Sequence, residues 1–286
     1  MGIDAPTNAA SERARQVHEW CRADNWERVS ESMTAGARIL GAAVESGPNA
    51  GSQPLDADSA RRVGFGSEES HVLAIRDEHL ALMNWVGSPK APNPDRRFAV
   101  VELDQRGQID SVRLFDWAVD SLTEAADYLD ERWMETTRRD DVDVLVSDAI
   151  RGWRHGDQAT LERILHEEFR AVDHRTFGWG EFDKATFIGL FDGNQRNVVV
   201  EIAGEYLGGT PSARAFQLAA WGCADGGLIE ALVGHFVSIV SDGQVLHTAG
   251  YDLRTPGEML SQMRTLVEEL ELQAPGSGSG DGDTRV

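Results

Sequence analysis

The sequence predicts an α+β fold that occurs twice, as two tandem modules that each combine helices with an antiparallel sheet. Three observations predict it. The chain has 286 residues, enough for two modest domains with a core each. Its two halves share matches that occur in the same order along the chain. In each half, apolar residues at helical spacing come first and strand-like alternation follows.

The repeat is seen most clearly near the end of each half. Gly107-Gln108-Ile109 matches Gly243-Gln244-Val245 about 136 residues further on, and Phe115-Asp116 then matches Tyr251-Asp252. Such self-similarity is typical of a duplicated structural unit. Further pairs at the same offset are Leu82 and Leu218, Trp85 and Trp221, and Val101 and Val237; Trp20 and Trp153 match near the starts at a slightly shorter offset.

Each repeat is predicted to contain the same elements in the same order. An amphipathic helix opens it, and Asp24 or Asp157 is the expected N-cap of a short second helix. A glycine turn at Gly107 or Gly243 joins the last two strands, before a closing amphipathic helix. In the second copy we expect a strand at 170–174 and a helix at about 184–191; the later strands are predicted at 70–76, 79–87 and 97–115, and at 198–206, 213–223 and 232–251.

Composition shifts place the boundaries. Repeat one is predicted at 11–135 and repeat two at 144–272, joined by a charged linker at 136–143. We expect residues 1–10 and the Gly/Ser/Asp-rich tail 273–286 to be disordered. The segment 41–58, rich in Gly, Pro, Ser and Asn, takes the place of the first strand and turn of repeat one, so this copy is predicted to be degenerate.

The charge and the cysteine content limit the partners. A formal net charge of −21 argues against nucleic acid and against an anionic membrane surface, because both need clustered cationic side chains. No segment is long and apolar enough to span a bilayer, and the first ten residues do not have the pattern of a signal peptide. Two cysteines, one in each repeat, favour reduced thiols. We therefore expect a cytoplasmic protein.

Neither a metal nor an organic cofactor is expected. The eight histidines show no metal-ligand spacing, and no phosphate loop, dinucleotide fingerprint or nucleophile elbow occurs in the sequence. Chemistry, where there is any, is predicted to be cofactor-independent.

The order of elements resembles the nuclear transport factor 2-like superfamily, which includes SnoaL-like polyketide cyclases, ketosteroid isomerases, scytalone dehydratases and limonene-type epoxide hydrolases. The segments RFAVVELDQRGQIDSVRLFD and HEEFRAVDHRTFGWGEFDKATFIGLF are similar to SnoaL-like domains of actinobacterial regulatory proteins. The resemblance covers nearly the whole chain. It implies two tandem cone-shaped half-barrels, each a curved antiparallel sheet around an apolar pocket that the long helices close, packed together as an intramolecular pseudo-dimer.

The resemblance also implies one candidate catalytic site. Isomerase-like relatives carry a general-base aspartate on the strand after the second helix, and Asp173, sixteen residues after Asp157, occupies that position. The helix-one tyrosine of such isomerases is replaced by Ala149, and Leu40 stands at the matching position of repeat one, so one site at most is expected. A carboxyl group in an apolar cavity has a raised pKa, which suits proton transfer.

Asp173 and His174 are therefore the predicted catalytic residues, although strand alternation allows only one of them to face the cavity. Trp153, His235 and Tyr251 are the predicted substrate-binding residues. A purely structural role is the alternative at each position: Asp173 could hold the following turn, His235 and Trp153 could be core residues, and Tyr251 could lie at the surface.

Two functions remain open at this point. One is a cofactor-independent enzyme, a cyclase, dehydratase, isomerase or epoxide hydrolase, acting on a hydrophobic small molecule in repeat two. The other is a non-catalytic ligand-sensing or assembly module of a regulatory system. Because the linked repeats supply an interface within one chain, we expect a monomer or a weak homodimer.

Overall fold

The computed structural model describes residues 8–41, 52–56, 59–60, 69–86, 96–117, 119–136, 141–176, 178, 180–190, 198–224, 227–252 and 254–273. The predicted disordered segments, apart from 8–10 and 273, lie outside these residues. The helix Ala9–Arg22 includes two residues of the first segment, and the helix Asp141–His155 covers the end of the predicted linker.

Each repeat contains a long first helix, a short second helix, six strands and a long closing helix. In the first repeat these are α1 (Ala9–Arg22), α2 (Trp26–Glu31), β1 (Met33–Gly41), β2 (Ser52–Pro54), β3 (Glu69–Arg76), β4 (Leu80–Val86), β5 (Arg96–Leu103), β6 (Ile109–Asp116) and α3 (Val119–Thr136). In the second they are α4 (Asp141–His155), α5 (Gln158–Ile164), β7 (Leu165–Asp173), β8 (Gly180–Asp183), α6 (Lys184–Gly189), β9 (Val198–Thr210), β10 (Ala213–Ala224), β11 (Gly227–Ser241), β12 (Gln244–Tyr251) and α7 (Pro256–Gln273).

The two sheets have the same topology. Their strand orders are β2-β1-β6-β5-β4-β3 and β8-β7-β12-β11-β10-β9. The sheets are mixed rather than wholly antiparallel, because β1 pairs in parallel with β6 and β7 pairs in parallel with β12. The predicted turns are present, and Gly107 and Gly243 both have a positive φ, a conformation that glycine adopts without strain. The α+β duplication predicted from the sequence is thus confirmed.

Each sheet buries two faces. We call the face packed against the first helix, α1 or α4, the inner face, and the face packed against the closing helix, α3 or α7, the outer face. In repeat one the inner face carries Met83, Trp85 and Val101, and the outer face carries Leu82 and Phe98. Burial on both faces explains the long apolar runs in the central strands, since a strand exposed on one side would alternate with polar residues.

The two repeats pack against each other. Ala219 of β10 belongs to the same buried cluster as the apolar face of α3. Arg154 of α4 donates to two carboxylates of α3, to Asp127 at 2.6 Å and to Asp130 at 3.1 Å, while Arg76 of β3 reaches Asp130 at 2.8 Å. The two repeats therefore form an intramolecular pseudo-dimer, with a buried network of ion pairs in the interface between them.

The predicted erosion of the first strand in repeat one is wrong. The strand lies at Met33–Gly41, before the segment 41–58, and its burial alternates in the same order as that of β7. Its pairing with β6 places Gly41 opposite Leu114, as Asp173 lies opposite Gly250. The residue equivalent to Asp173 is thus Gly41 and not Leu40, and repeat one lacks the carboxylate in either case.

A constant offset also misaligned the central strands. Leu82 lies on an outer face and Leu218 on an inner face, so these residues are not equivalent. Val101 and Val237 are likewise on opposite faces. The β-bulges change the offset from strand to strand, and a shift of one residue turns a side chain to the other face.

The alignment of the two repeats at the start of the second helix also has to be moved by one residue. Asn25, rather than Asp24, accepts a hydrogen bond at the start of α2, whereas Asp157 caps α5 as predicted. Asp24 has a positive φ, as does Gly156 before Asp157. Asp24 therefore matches Gly156, which aligns Trp153 with Cys21 instead of Trp20.

By the same alignment His18 of α1 is equivalent to Ile150. The His18 side chain is 6% exposed, and neither ring nitrogen has a hydrogen-bond partner in the described structure. Burial, helped by the charge of Arg22 and opposed by Glu19, lowers the pKa of His18. Because the unfolded state binds this proton more readily, His18 decreases stability as the pH falls below about 6.5.

We expect His18→Ile to increase the free energy of unfolding by about 1–3 kcal/mol, since it removes a buried polar ring without a partner. The gain should be larger at pH 5 than at pH 8, as measured by denaturant unfolding. His71→Ala, at an imidazole that is 58% exposed, is the control and should change little. A His18→Ile variant that is less stable than the wild type at both pH values would contradict the assignment.

Candidate ligand pocket

A cavity lies inside the cone of repeat two, between α4 and the inner face of the sheet. The space between its lining atoms, counted together with adjoining open solvent, is about 410 Å³, and the centre of a water-sized molecule can occupy about 30 Å³ of it. We call it the repeat-two pocket. Its lining consists of Val146, Ala149, Ile150, Trp153, Leu165, Phe169, Phe187, Phe216, Leu218, Phe236, Ser238, Val245 and Thr248.

Aromatic rings form much of this lining. Phe187 of α6 packs against Trp153 and against Phe169, with ring centroids 5.7 Å and 5.1 Å apart. Phe216 and Phe236, opposite each other on β10 and β11, stack with centroids 6.2 Å apart. Such rings hold each other in place and offer flat apolar faces to a molecule in the pocket.

Two hydroxyl groups are the main polar feature of the lining. Ser238 of β11 and Thr248 of β12 are paired in register, and their oxygens lie 3.1 Å apart. No ionisable side chain lines the pocket among the residues whose side chains the structure describes.

Asp173 lies on the inner face but does not line the pocket. Its carboxylate forms a two-pronged ion pair with Arg175, with Nε–Oδ1 at 2.8 Å and Nη2–Oδ2 at 2.6 Å, and it also accepts the backbone N–H of Arg175. The side chains of Asp173 and Arg175 are only 10% and 8% exposed. Both carboxylate oxygens are therefore engaged by a buried arginine, which stabilises the charged form and fixes the turn after β7.

Phe236 stands between this ion pair and the pocket. Register places Phe216, Phe236, Gly250 and Asp173 in one row across the inner face. The Phe236 ring lies over Gly250, where a Cβ atom would come within 2.7 Å of it, and the Arg175 guanidinium lies 5.6 Å from the same ring. The absence of a side chain at Gly250 thus leaves room for the Phe236 ring.

Three predicted site residues lie on the other side of the sheet. Tyr251 is buried in the outer cluster beneath α7, and burial raises the pKa of its hydroxyl. His174 is exposed and stacks on the Tyr251 ring at 5.1 Å. The imidazole of His235 accepts the backbone N–H of Arg254 at 3.0 Å, and burial lowers its pKa. The structure thus groups Tyr251 with His174, away from the pocket.

Of the five predicted site residues, Trp153 is the one that lines the pocket. Phe216, Phe236, Ser238 and Thr248 were not predicted. Alternation along β11 separates His235 and Val237 from Phe236 and Ser238, but it does not say which set faces inwards. The sequence feature that could have indicated the inward face is the presence of a phenylalanine, Phe216 or Phe236, on each of two adjacent strands.

Arg214, like Arg175, is paired with a carboxylate. Arg214 lies opposite Ser238 in register, yet its guanidinium forms an ion pair with Asp143 of α4 and donates to the carbonyl of Ala213 at 2.9 Å. No group of three potential metal ligands occurs among the described residues. In the same part of the chain, no helix is long and apolar enough to cross a membrane.

No family model and no curated protein matches the chain. Solved structures do. Δ5-3-ketosteroid isomerase from Mycobacterium sp. is 18% identical, with 40% of this chain and 93% of that one covered and a TM-score of 0.31. An LEH-like epoxide hydrolase from Mycobacterium tuberculosis is 14% identical, with 47% of this chain and 97% of that one covered and a TM-score of 0.31. A Mycobacterium tuberculosis protein in complex with estradiol-17β-hemisuccinate is 17% identical, with 42% of this chain and 98% of that one covered and a TM-score of 0.34.

Each of these matches spans less than half of this chain and nearly all of the other, which is the size of one repeat. At such identities the likeness concerns the fold alone. The order and pairing of the elements are observed twice, once in each repeat, so the tandem α+β duplication is shown by the structure itself.

Proposed function

We propose that the protein binds one small, largely apolar molecule in the repeat-two pocket, and that it binds this molecule without acid–base chemistry by Asp173. The observation that carries the proposal is the lining: aromatic and aliphatic side chains with two hydroxyls among them. Apolar pockets with a few polar groups are typical small-molecule sites, and burial of apolar ligand surface contributes about 25 cal/mol per Å².

The interior of repeat one supports a single site per chain. Register makes Met83 equivalent to Phe216 and Trp85 equivalent to Leu218. Trp85 is buried in the inner cluster against α1, where its indole fills the space that the smaller leucine leaves open in repeat two. Repeat one then serves as the packing partner of repeat two.

The position of Asp173 supports binding over catalysis. A general base must reach the proton that it removes, and both oxygens of Asp173 are held by Arg175 behind Phe236. A cyclase, dehydratase, isomerase or epoxide hydrolase working by proton transfer needs an ionisable group at its substrate. We therefore favour a ligand-sensing role in a regulatory system. We further propose that the protein acts in the cytoplasm, as a monomer or weak homodimer.

Leu218→Trp tests the proposal by giving repeat two the side chain that repeat one carries at this position. We expect the variant to fold, because the tryptophan occupies existing space, and to lose binding of apolar compounds by at least about tenfold. Isothermal titration with 9-fluorenone, a neutral ring compound, measures affinity and stoichiometry, with one molecule per wild-type chain expected.

The matched control is Trp85→Leu, which makes the opposite exchange in repeat one and should leave the affinity of the repeat-two pocket unchanged; binding in the space that it opens in repeat one would be measured as a second molecule per chain. Binding that persists in Leu218→Trp, or that is lost in Trp85→Leu instead, would place the ligand elsewhere and overturn the proposal. Thermal unfolding of both variants checks that each is folded.

A further inference from the structure

The hydroxyl groups that line the repeat-two pocket form a single pair. Ser238 and Thr248 face each other across β11 and β12, and side chains so paired project from the same face of the sheet. Phe236 lies two residues from Ser238 on the same strand, so the hydroxyls adjoin the stacked Phe216–Phe236 rings. A molecule that lies against these rings has one of its edges at the hydroxyl pair.

Repeat one carries two valines in the same place. Val101 and Val112 are paired on β5 and β6, are fully buried, and occupy the positions equivalent to Ser238 and Thr248. The fold therefore does not need hydroxyls here. Placing polar groups in an apolar interior costs free energy unless they form hydrogen bonds, so packing alone does not account for the hydroxyls of repeat two.

The hydroxyl pair still has hydrogen-bonding groups that a ligand can use. Two hydroxyl groups bring two O–H donors, and one donor is used in the contact between Ser238 and Thr248. Within the described part of the chain these two oxygens form no other hydrogen bond. The pair thus offers one O–H donor and free lone pairs to the pocket, which suits a single carbonyl or hydroxyl oxygen.

The surrounding charges disfavour an ionic ligand. Arg175 is engaged by Asp173, and Arg214 by Asp143, so each buried cation already has its own carboxylate. A ligand carboxylate would be transferred from water into an apolar pocket without a counter-ion, which is costly.

We propose, as an extension of the function proposed above, that the ligand is a neutral, mostly apolar ring compound with one carbonyl or hydroxyl oxygen, and that Ser238 and Thr248 recognise this oxygen. The two residues determine specificity, and the aromatic lining provides affinity.

Three probes of similar size separate the contributions: fluorene, 9-fluorenone and fluorene-9-carboxylate. We expect wild-type protein to bind 9-fluorenone about tenfold more tightly than fluorene and to bind the carboxylate most weakly. In the Ser238→Ala, Thr248→Val double variant the two neutral probes should bind within about twofold of each other. Val101→Thr is the control in repeat one and should not alter the preference.

The outcomes are distinguishable. Equal binding of fluorene and 9-fluorenone by the wild type would overturn the role of the hydroxyl pair and leave the proposed pocket standing. A ketone preference that survives in the double variant would overturn it too, as would tightest binding of the carboxylate. Absence of binding by all three probes would overturn both proposals.

Discussion

Replacing Arg154 by methionine is expected to lower the free energy of unfolding by about 3–5 kcal/mol, because it removes one partner of a buried ion network. The Arg154 side chain is fully buried and lies between Asp127 and Asp130 of the other repeat. Methionine keeps the apolar stem but leaves two carboxylates in the interface with less compensating charge.

The pKa of Asp130 also determines how the stability of this interface depends on pH. Burial acts to raise the pKa of Asp130, but the charges of Arg76 and Arg154 outweigh it, and the pKa lies below its ordinary value. A carboxyl group whose folded pKa is depressed stabilises the fold at pH values above its unfolded pKa of about 4. That stability is lost as the pH falls through the folded value, so the wild type should weaken below about pH 4.

The control for Arg154 is its neighbour Arg151. This side chain is 49% exposed and lies 3.8 Å from Asp127 and 3.7 Å from Glu131, so Arg151→Met should change the free energy of unfolding by less than about 1 kcal/mol. Chemical denaturation followed by circular dichroism compares the two. Adding Asp127→Asn to Arg154→Met should recover part of the loss, with Asp130 kept as the partner of Arg76. Equal stability of the Arg154 and Arg151 variants would show that the network contributes nothing.

Replacing Asp173 by alanine is expected to cost about 3–5 kcal/mol, because it leaves the guanidinium of Arg175 buried without its carboxylate. The double variant Asp173→Ala, Arg175→Met removes both charges and should recover much of this loss. We expect both proteins to bind 9-fluorenone within about threefold of the wild type, since Phe236 separates the ion pair from the pocket.

The opposite pattern would support a catalytic or ligand-binding carboxylate at this position. An Asp173→Ala variant with unchanged stability and strongly reduced binding would contradict the structural role. Denaturant unfolding and isothermal titration on the same three proteins give both readouts. Asp143→Ala, which breaks the Arg214 ion pair, provides a second buried pair for comparison.

The sequence predicted the duplication because the strongest matches lie in scaffold features. Gly107 and Gly243 must both adopt a positive φ, and Phe115 and Tyr251 both lie beneath a closing helix. Such local requirements keep residues similar in both copies. The β-bulges leave no comparable mark in the sequence, which is why matches in the central strands, such as Leu82 with Leu218, were assigned to the wrong face.

The pocket was harder to predict than the fold. The sequence left open which of Asp173 and His174 faces the cavity, and the ion-pair partner Arg175 is a long-stemmed side chain in the next turn, whose direction the sequence does not specify. His235 and Phe236 are adjacent on one strand, and a period of two gives two equally regular faces. The choice between them depends on where α4 and α7 pack.

The most direct test of the proposed pocket is a crystal structure of the protein with 9-fluorenone. We expect electron density for one molecule per chain inside the cone of repeat two, against Phe216 and Phe236, with its oxygen within hydrogen-bond distance of Ser238 or Thr248. The Asp173–Arg175 ion pair should be intact. Density inside repeat one, or a ring lying against Asp173 with the ion pair opened, would contradict the proposed pocket.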